Sequence, residues 1–197
     1  MNYFPMFMDI RGREVLICGG GMHALEKVER LTPFGADILV ISRRISPEME
    51  CAEGIRIERR SFSEKDLDSF PVFVIAAENR KENERISNIC RTRHIPVNAV
   101  DMQDICDFIF PALITSGQMC VGISTGGVSP AVSVELKRRI EECIPDDVDD
   151  ILLWMNGMRE EVRRRIPDKE KQRKVLRHMA KRALEEGRRL TWEELEK

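Results

Sequence analysis

The chain has 197 residues, of which 42% are hydrophobic and 34% charged, and its net charge is −2. Such a composition is typical of a folded protein with one good core and a smaller second part, and it excludes a disordered or fibrous chain. No apolar stretch approaches the ~20 residues that span a membrane. The first residues lack the basic and apolar regions of a signal peptide. We therefore expect a cytoplasmic protein with no membrane partner.

Strand and helix signals alternate over the first half of the chain, as they do in a parallel sheet with helices packed against it. Helices are predicted over residues 22–34, with Gly35 ending the first, and over 79–93. This alternation predicts a Rossmann-type α/β domain over residues 1–112. Its strands are predicted at 13–18, 38–41, 55–58, 72–77, 95–100 and 108–110.

A smaller α/β block is predicted over residues 113–147. It contains a strand at 119–123, a tight loop at 124–127 and a helix that runs to about residue 143. Ser129 and Pro130 form the start signal of that helix, because serine is a good N-cap and proline suits the first helical position.

The rest of the chain, residues 148–197, is predicted to be a helical C-terminal domain. Its helices are expected over 148–165 and 168–186, separated by a break at Pro167, and Gly187 is expected to end the second. Thr191 and Glu194 have the spacing of a capping box.

Three glycines follow the first predicted strand and open the first predicted helix. Gly19, Gly21 and Ala24 fit the G-x-G-x-x-A fingerprint of dinucleotide-binding domains, in which the glycines allow a tight turn and close approach of phosphates. The helix N-terminus then offers free N–H groups to a pyrophosphate. We therefore predict that a nicotinamide dinucleotide binds a loop made of Gly19, Gly20, Gly21, Met22, His23 and Ala24.

The second predicted strand ends without the acidic residue that usually binds the adenosine ribose of NAD. Ser42, Arg43 and Arg44 stand there instead. The arginines would either pair with the 2′-phosphate of NADP or lie in solvent. The residues at this position therefore leave the choice between NAD and NADP open.

Asp101 is the carboxylate that the pattern singles out for chemistry. It follows an apolar strand at the carboxyl edge of the predicted sheet, where ligands of such folds bind. A carboxylate there can accept a proton as a hydride leaves the substrate for the nicotinamide. The alternative is a structural aspartate that caps a helix or stabilises a turn.

The remaining polar groups predict neither a metal site nor a nucleic-acid partner. The six cysteines and three histidines are scattered without the spacing of metal ligands. From residue 151 to 197, 14 Lys and Arg stand against 9 Asp and Glu. This basic tail could attract an anionic ligand, but the solvated surface of helices is the interpretation that we favour.

Several segments in order resemble the precorrin-2 dehydrogenase family, which forms the N-terminal part of siroheme synthase and also occurs as free-standing proteins. The resemblance covers about residues 3–143, and its most specific part is the STGGVSP segment at 124–130. Glu78 departs from the family, which commonly has Thr or Ser after the two alanines. The matching segments are residues 4–13, GGGMHALEK at 19–27, VIAA at 74–77, VNAVD at 97–101, FIFPA at 108–112 and ISTGGVSPA at 123–131.

The resemblance implies NAD-dependent oxidation of the tetrapyrrole precorrin-2 to sirohydrochlorin, with Asp101 as the catalytic residue. In bifunctional members the same aspartate also serves iron insertion, a point that these residues leave open. The family is homodimeric, with much of the contact made by the block at 113–147, and a helical domain covers its cleft. The cofactor residues implied beside the glycine loop are Ser42, Arg43, Ala76, Ala77 and Asn83. The substrate residues implied are Asn98, Ser124, Thr125, Gly126 and Gly127.

A second hypothesis belongs to a different class of protein. Glu78 places a negative charge beside the expected dinucleotide, and the tail matches the family in helical character but not in any motif. These two features are compatible with a non-catalytic protein that binds dinucleotide or tetrapyrrole and regulates or scaffolds tetrapyrrole biosynthesis.

Overall fold

The computed structural model describes residues 3–195 of the chain. It separates into two compact units that divide between Ile109 and Phe110. The first unit has the alternating α/β organisation expected of the N-terminal part. The second contains a β-hairpin and helices. Whether that second unit divides again near residue 147 stays a prediction.

The first unit is built on a five-stranded parallel sheet in the order β3-β2-β1-β4-β5, which confirms the Rossmann-type fold. Its helices are α1 (Met22–Leu31), α2 (Pro47–Glu50) and α3 (Arg80–Thr92). Its strands are β1 (Glu14–Cys18), β2 (Asp37–Ile41), β3 (Ile55–Glu58), β4 (Val74–Ala76) and β5 (Val97–Ala99).

The core of this unit lies on both faces of the central strands. Val15, Leu16, Ile17 and Cys18 of β1 are all fully buried, although neighbouring side chains of a strand point to opposite faces. A strand that is buried on both faces reads as a continuous apolar run rather than an alternating one. This explains why β1 was recognisable from its sequence.

The first helix is shorter than predicted. α1 ends at Leu31, and a 3₁₀ turn over Thr32–Phe34 continues to Gly35, which has a left-handed φ of 69°. Pro33 accounts for the change because it has no N–H to continue the α-helical hydrogen bonds. The short helix α2 was not predicted, although it carries the Ser-Pro start signal: the Ser46 hydroxyl oxygen accepts the Met49 N–H at 3.2 Å.

The prediction of a sixth strand at 108–110 is wrong. Within residues 3–195, the backbone groups at the outer edge of β5 bond to a carboxylate side chain and to a single backbone N–H instead of to a neighbouring strand. The Val97 N–H donates to the Asp107 carboxylate at 2.9 Å, and the Asp107 N–H donates to the Val97 carbonyl at 2.8 Å. The Phe108 ring lies against Phe73 with a centroid distance of 4.8 Å. The apolar residues of this segment therefore contribute to packing and not to the sheet.

The second unit begins with an antiparallel hairpin of β6 (Ala112–Ser116) and β7 (Met119–Ile123). β7 was predicted and β6 was not. The turn needs Gly117, which has a φ of 50° and whose missing Cβ would overlap the Asp149 carboxylate. Asp149 also accepts the Gln118 N–H at 2.8 Å, which ties the hairpin to the helix that carries this aspartate.

Helices make up the rest of the second unit. Ser129 caps α4 (Pro130–Glu141) by accepting the Val132 N–H, as predicted. Asp168 caps the helix after the predicted break, and Gly187 ends that helix with a φ of 65°. The other helices are α5 (Val148–Arg165), α6 (Lys169–Glu186) and α7 (Trp192–Leu195). Within residues 3–195, none of the helices is long and apolar enough to cross a membrane.

The predicted capping box at the end of the chain is present. The Thr191 N–H donates to the Glu194 carboxylate at 2.7 Å, and the Glu194 N–H donates to the Thr191 hydroxyl at 3.4 Å. Hydrogen bonds from Arg188 and from the Thr191 backbone lower the pKa of Glu194 to about 2. Much of the tail's charge is thus matched within the tail itself, as in the ion pair of Arg182 with Glu186 at 2.9 Å.

Candidate nucleotide-binding site

The turn between β1 and α1 requires glycine at two adjacent positions. Gly19 has a φ of 138°, and a Cβ there would lie 2.5 Å from the Ala77 carbonyl oxygen. A Cβ on Gly20 would lie 2.2 Å from the Arg44 carbonyl oxygen. The turn is fixed in this tight space by the Ser46 N–H, which donates to the Gly20 carbonyl at 2.8 Å. The segments that follow β2 and β4 therefore hold the turn from both sides.

Gly21 differs from the two glycines before it because its outer side is open. A Cβ at Gly21 would meet no atom of the described chain within 4 Å, and its φ of −94° is one that other residues adopt. Gly21 is the N-cap of α1 and contributes no side chain to cap the helix. The first N–H groups of a helix have no partner inside it, so those of Met22, His23 and Ala24 are available to an anion.

The first turn of α1 suits an anionic ligand in other respects. It contains no acidic residue, so the positive end of the helix dipole is not compensated there. Met22 and His23 are exposed, whereas Ala24 is fully buried against the sheet. The small Ala24 thus has the packing role that the fingerprint assigns to it.

A cavity of about 760 Å³ opens beside this turn, within the range of small-molecule and cofactor sites. Gly20 and Gly21 line it together with residues that follow β2 and β4, among them Ser42, Arg43 and Glu78. The cavity therefore lies at the carboxyl edge of the sheet, where doubly wound folds bind dinucleotides.

Glu78 and Ser42 meet across the end of β1. The Ser42 hydroxyl, which is buried at 4% exposure, donates to the Glu78 carboxylate at 2.5 Å. The Glu78 N–H donates to the side-chain oxygen of Asn83 at 2.9 Å, and Asn83 is itself 2% exposed. Asn83 therefore fixes the backbone after β4, and Ser42 fixes the carboxylate that this backbone carries.

Asp101 lies at the same edge of the sheet on the far side of the glycine turn. Cys18, Ala76 and Ala99 are in register across β1, β4 and β5, and the Val100 N–H continues the ladder to the Ala76 carbonyl at 2.9 Å. Since adjacent strands are about 4.8 Å apart, the chain after β5 lies about 10 Å from the glycine turn.

The backbone at Asp101 is left-handed, with a φ of 59°, and its side chain is exposed. A positive φ is uncommon for a residue other than glycine and is better tolerated by Asp and Asn than by most others. Met102, not Asp101, is the N-cap of the 3₁₀ turn over Gln103–Ile105. Of the structural alternatives, only a turn residue therefore fits. Such outliers are frequent at functional sites, which motivates a catalytic hypothesis.

The other predicted residues of the first unit differ in accessibility. Arg43 is exposed at the rim of the cavity, Ala76 is fully buried in β4, and Ala77 packs against Gly19. Asn98 is 8% exposed, and its amide donates to the Phe108 carbonyl at 2.9 Å. A contact between Asn98 and a substrate stays a prediction.

The predicted substrate loop belongs to the second unit. Gly126 and Gly127 have left-handed φ values of 65° and 84°, and the Ser124 hydroxyl oxygen accepts the Gly126 N–H at 3.0 Å. Thr125 donates to the Ser129 carbonyl at 3.0 Å and accepts the Ser129 N–H at 3.2 Å. The loop is thus a turn held by its own hydrogen bonds, and it leads into α4.

Within residues 3–195, no three His, Cys, Asp or Glu side chains lie close enough together to bind a metal ion. All six cysteines are free thiols, two of them buried. Burial raises the pKa of the Cys90 thiol to about 12, so it is protonated at neutral pH.

Three features of this site escaped sequence reasoning. Gly20 occupies a variable position of the fingerprint, yet the Arg44 carbonyl forces it to be glycine. Ser46 anchors the glycine turn through its backbone N–H, and the helix start signal of Ser46 and Pro47 is the sequence feature that could have indicated local order there. Glu78 contacts Ser42 because these residues follow the two strands that flank β1. Predicting this contact requires knowledge of the strand order.

Comparison with known proteins agrees with this geometry. A family model described as "Putative NAD(P)-binding" matches residues 6–112. A siroheme synthase from Methylococcus capsulatus is 36% identical over 188 residues, which cover 94% of this chain and 39% of that protein. A siroheme synthase from Thioalkalivibrio sulfidiphilus is 36% identical over 177 residues, which cover 88% of this chain and 36% of that one. The chain thus spans less than two fifths of these relatives.

Among solved structures, "SirC, precorrin-2 dehydrogenase" superimposes with a TM-score of 0.67 over 90% of this chain and 89% of that one. At 22% identity this likeness shows the fold. The family model covers more than half of the chain and includes the whole glycine turn. The chain therefore belongs to the NAD(P)-binding family that includes the matching part of siroheme synthase.

Proposed function

We propose that this chain is a precorrin-2 dehydrogenase, which oxidises precorrin-2 to sirohydrochlorin with NAD⁺ as the hydride acceptor. The observation that carries the proposal is the common sheet edge within one compact unit: the glycine turn follows β1, and Asp101 follows β5, which is two strands away in the sheet, or about 10 Å at the usual strand spacing. Homology to siroheme synthase and the fold shared with a precorrin-2 dehydrogenase support this choice of substrate.

The residues present fit a dinucleotide. Gly21 leaves space for the pyrophosphate, and the N–H groups of Met22, His23 and Ala24 would bind its oxygens. The cavity toward Ser42 and Arg43 would take the adenosine half. The nicotinamide half would then extend past Ala77 toward β5, where it supplies the hydride acceptor.

Asp101 would take the proton that leaves with the hydride. Oxidation of the substrate breaks two bonds to hydrogen, one C–H and either an N–H or a second C–H. One hydrogen leaves as a hydride with two electrons, which the nicotinamide would accept, and the other leaves as a proton. An exposed carboxylate at the same edge can accept that proton and pass it to water. The left-handed backbone at Asp101 holds the carboxylate on a short turn, where it is accessible to substrate.

The substrate groups are proposed from homology. Asn98 and the loop of Ser124, Thr125, Gly126 and Gly127 would contact the tetrapyrrole, whose many carboxylates suit backbone N–H donors. The left-handed glycines leave the backbone of the loop uncovered by side chains.

Anaerobic turnover tests the proposal. The purified full chain is mixed with enzymatically generated precorrin-2 and NAD⁺ or NADP⁺, and the visible spectrum is followed together with nucleotide reduction. We expect sirohydrochlorin and reduced nucleotide to form in equal amounts. Addition of Fe²⁺ to the product then shows whether the same chain also inserts iron. Tight nucleotide or tetrapyrrole binding without any turnover would instead identify the non-catalytic protein of the second hypothesis.

We also propose that the protein is a homodimer, as its family resemblance implies. Val132 and Leu136 are four residues apart in α4, so they lie on one side of that helix, and they are 49% and 40% exposed. Val128, in the loop before α4, is 87% exposed. Exposed apolar residues grouped in this way are typical of a protein interface. The free state of all six cysteines supports a reducing, cytoplasmic location.

The substitution Val132→Asp is expected to convert the dimer into a monomer, because it places a charge among the exposed apolar residues of this side of α4. Sedimentation velocity of the full chain measures this change. Val134→Asp is the matched control, since Val134 is 64% exposed on the opposite side of α4. A dimer that survives Val132→Asp but dissociates with Val134→Asp would place the interface on the other side of the helix.

A further inference from the structure

The Glu78 carboxylate reaches the end of β2, which is where a Rossmann domain binds the adenosine ribose. In these folds an acidic residue at the end of the second strand binds the ribose hydroxyls of NAD, whereas an arginine there accommodates the 2′-phosphate of NADP. In this chain Ser42 directly follows β2, and the carboxylate of Glu78, which stands just after β4, lies 2.5 Å from the Ser42 hydroxyl. A carboxylate is therefore present at this point even though the sequence of β2 lacks one.

The local structure holds this carboxylate in place and leaves part of it available. The Ser42 hydroxyl donates to one oxygen, Oε1. Asn83 fixes the Glu78 backbone, and Asn79 caps α3 by accepting the Glu82 N–H at 3.1 Å. Within residues 3–195 the second oxygen, Oε2, makes no hydrogen bond, and Glu78 lines the cavity beside Gly20 and Gly21.

Two arginines, Arg43 and Arg44, line the same cavity, so a 2′-phosphate would meet cations as well as this carboxylate. Among these three side chains, only the Glu78 carboxylate is held by a side-chain hydrogen bond within residues 3–195. A 2′-phosphate entering here would meet a fixed carboxylate at close range.

We infer that Glu78, positioned by Ser42, binds the adenosine ribose hydroxyls and makes this site selective for NAD over NADP. The inference rests on the proposed function in one respect, that the cavity beside the glycine turn holds the adenosine half. A carboxylate accepts hydrogen bonds from the ribose 2′- and 3′-hydroxyls, and it repels a 2′-phosphate. Selectivity then combines an attraction for one nucleotide with a repulsion of the other.

The test measures the dissociation constants of NAD⁺ and NADP⁺ for the full chain by titration calorimetry. The wild type is expected to bind NAD⁺ more tightly than NADP⁺ by at least about 10-fold, as expected for a charge-assisted hydrogen bond. Glu78→Gln keeps an acceptor for Ser42 but removes the charge. It is expected to weaken NAD⁺ binding by about 10-fold and to strengthen NADP⁺ binding, so that the preference is lost.

Two further variants make the result specific. Ser42→Ala removes the group that positions the carboxylate and is expected to reduce the preference by a smaller factor than Glu78→Gln. Glu84→Gln removes a like charge from the helix that follows Glu78, but Glu84 is exposed and pairs with Arg80, so the preference should not change. Wild-type preference for NADP⁺, or an unchanged preference in Glu78→Gln, would overturn the inference while leaving NAD(P) binding intact. A wild type that binds neither nucleotide would overturn the proposed function as well.

Discussion

Replacement of Gly21 by alanine is expected to weaken NAD⁺ binding by about 10- to 100-fold without loss of stability. The backbone at Gly21 has a φ of −94°, which alanine adopts easily, and a Cβ there meets no atom of the described chain. The new methyl group would, however, occupy the open side through which the pyrophosphate must approach the N–H groups of α1. Calorimetric titration with NAD⁺ and thermal unfolding of the same sample measure the two effects separately.

Gly20→Ala is the matched substitution with the opposite pattern. Its Cβ would lie 2.2 Å from the Arg44 carbonyl oxygen, a contact that only a shift of the backbone relieves. We expect this variant to lose about 1–3 kcal/mol of unfolding free energy, as overpacking does in a tight core. If Gly21→Ala were as destabilising as Gly20→Ala, or if it bound NAD⁺ normally, the open side of Gly21 would not be the phosphate site.

Asp101→Asn is expected to lower dehydrogenase turnover by about 10²- to 10⁴-fold while NAD⁺ binding and folding stay normal. Asparagine is the appropriate substitution because the backbone at this position has a φ of 59°, and Asn tolerates left-handed conformations about as well as Asp. The amide keeps the size and polarity of the side chain but cannot accept the proton. Single-turnover formation of sirohydrochlorin at saturating NAD⁺ measures the effect on the chemical step.

Asp104→Asn serves as the control for Asp101→Asn. Asp104 is an exposed aspartate three residues further along, in the 3₁₀ turn. The substitution Asp104→Asn therefore removes the same charge from the same segment. Its turnover should stay within about 2-fold of the wild type, because exposed charges that are screened by water have small effects. Full activity in Asp101→Asn would show that another base takes the proton.

Patterns that depend on neighbouring residues predicted most of the fold. The buried run at β1, the Ser129 cap of α4, the end of α6 at Gly187 and the capping box at Thr191 are all local, since each is decided within a few residues. The glycine turn was predictable for the same reason. Its fingerprint combines a strand, a turn and a helix start within about ten residues.

Features that depend on tertiary contacts were not predictable. The segment at 108–110 has a strand-like composition, but Asp107 takes the backbone groups of Val97 that a sixth strand would have paired with. Gly20 and Glu78 obtain their roles from Arg44 and Ser42, which lie 24 and 36 residues away in sequence. From the sequence alone, the negative charge of Glu78 looked unfavourable for the binding of a dinucleotide. Its hydrogen bond to Ser42 gives it instead the place of the missing acidic residue of β2.

The measurement that tests the central claim most directly is the single-turnover rate of precorrin-2 oxidation as a function of NAD⁺ concentration, in the wild type and in Gly21→Ala and Asp101→Asn. If the glycine turn binds the nucleotide and Asp101 takes the proton, Gly21→Ala should regain most of the wild-type rate at high NAD⁺, and Asp101→Asn should stay slow at every concentration. If Asp101→Asn reached the wild-type rate, or if no sirohydrochlorin formed even with the wild type at saturating NAD⁺, the assignment of this sheet edge as a dehydrogenase active site would be contradicted.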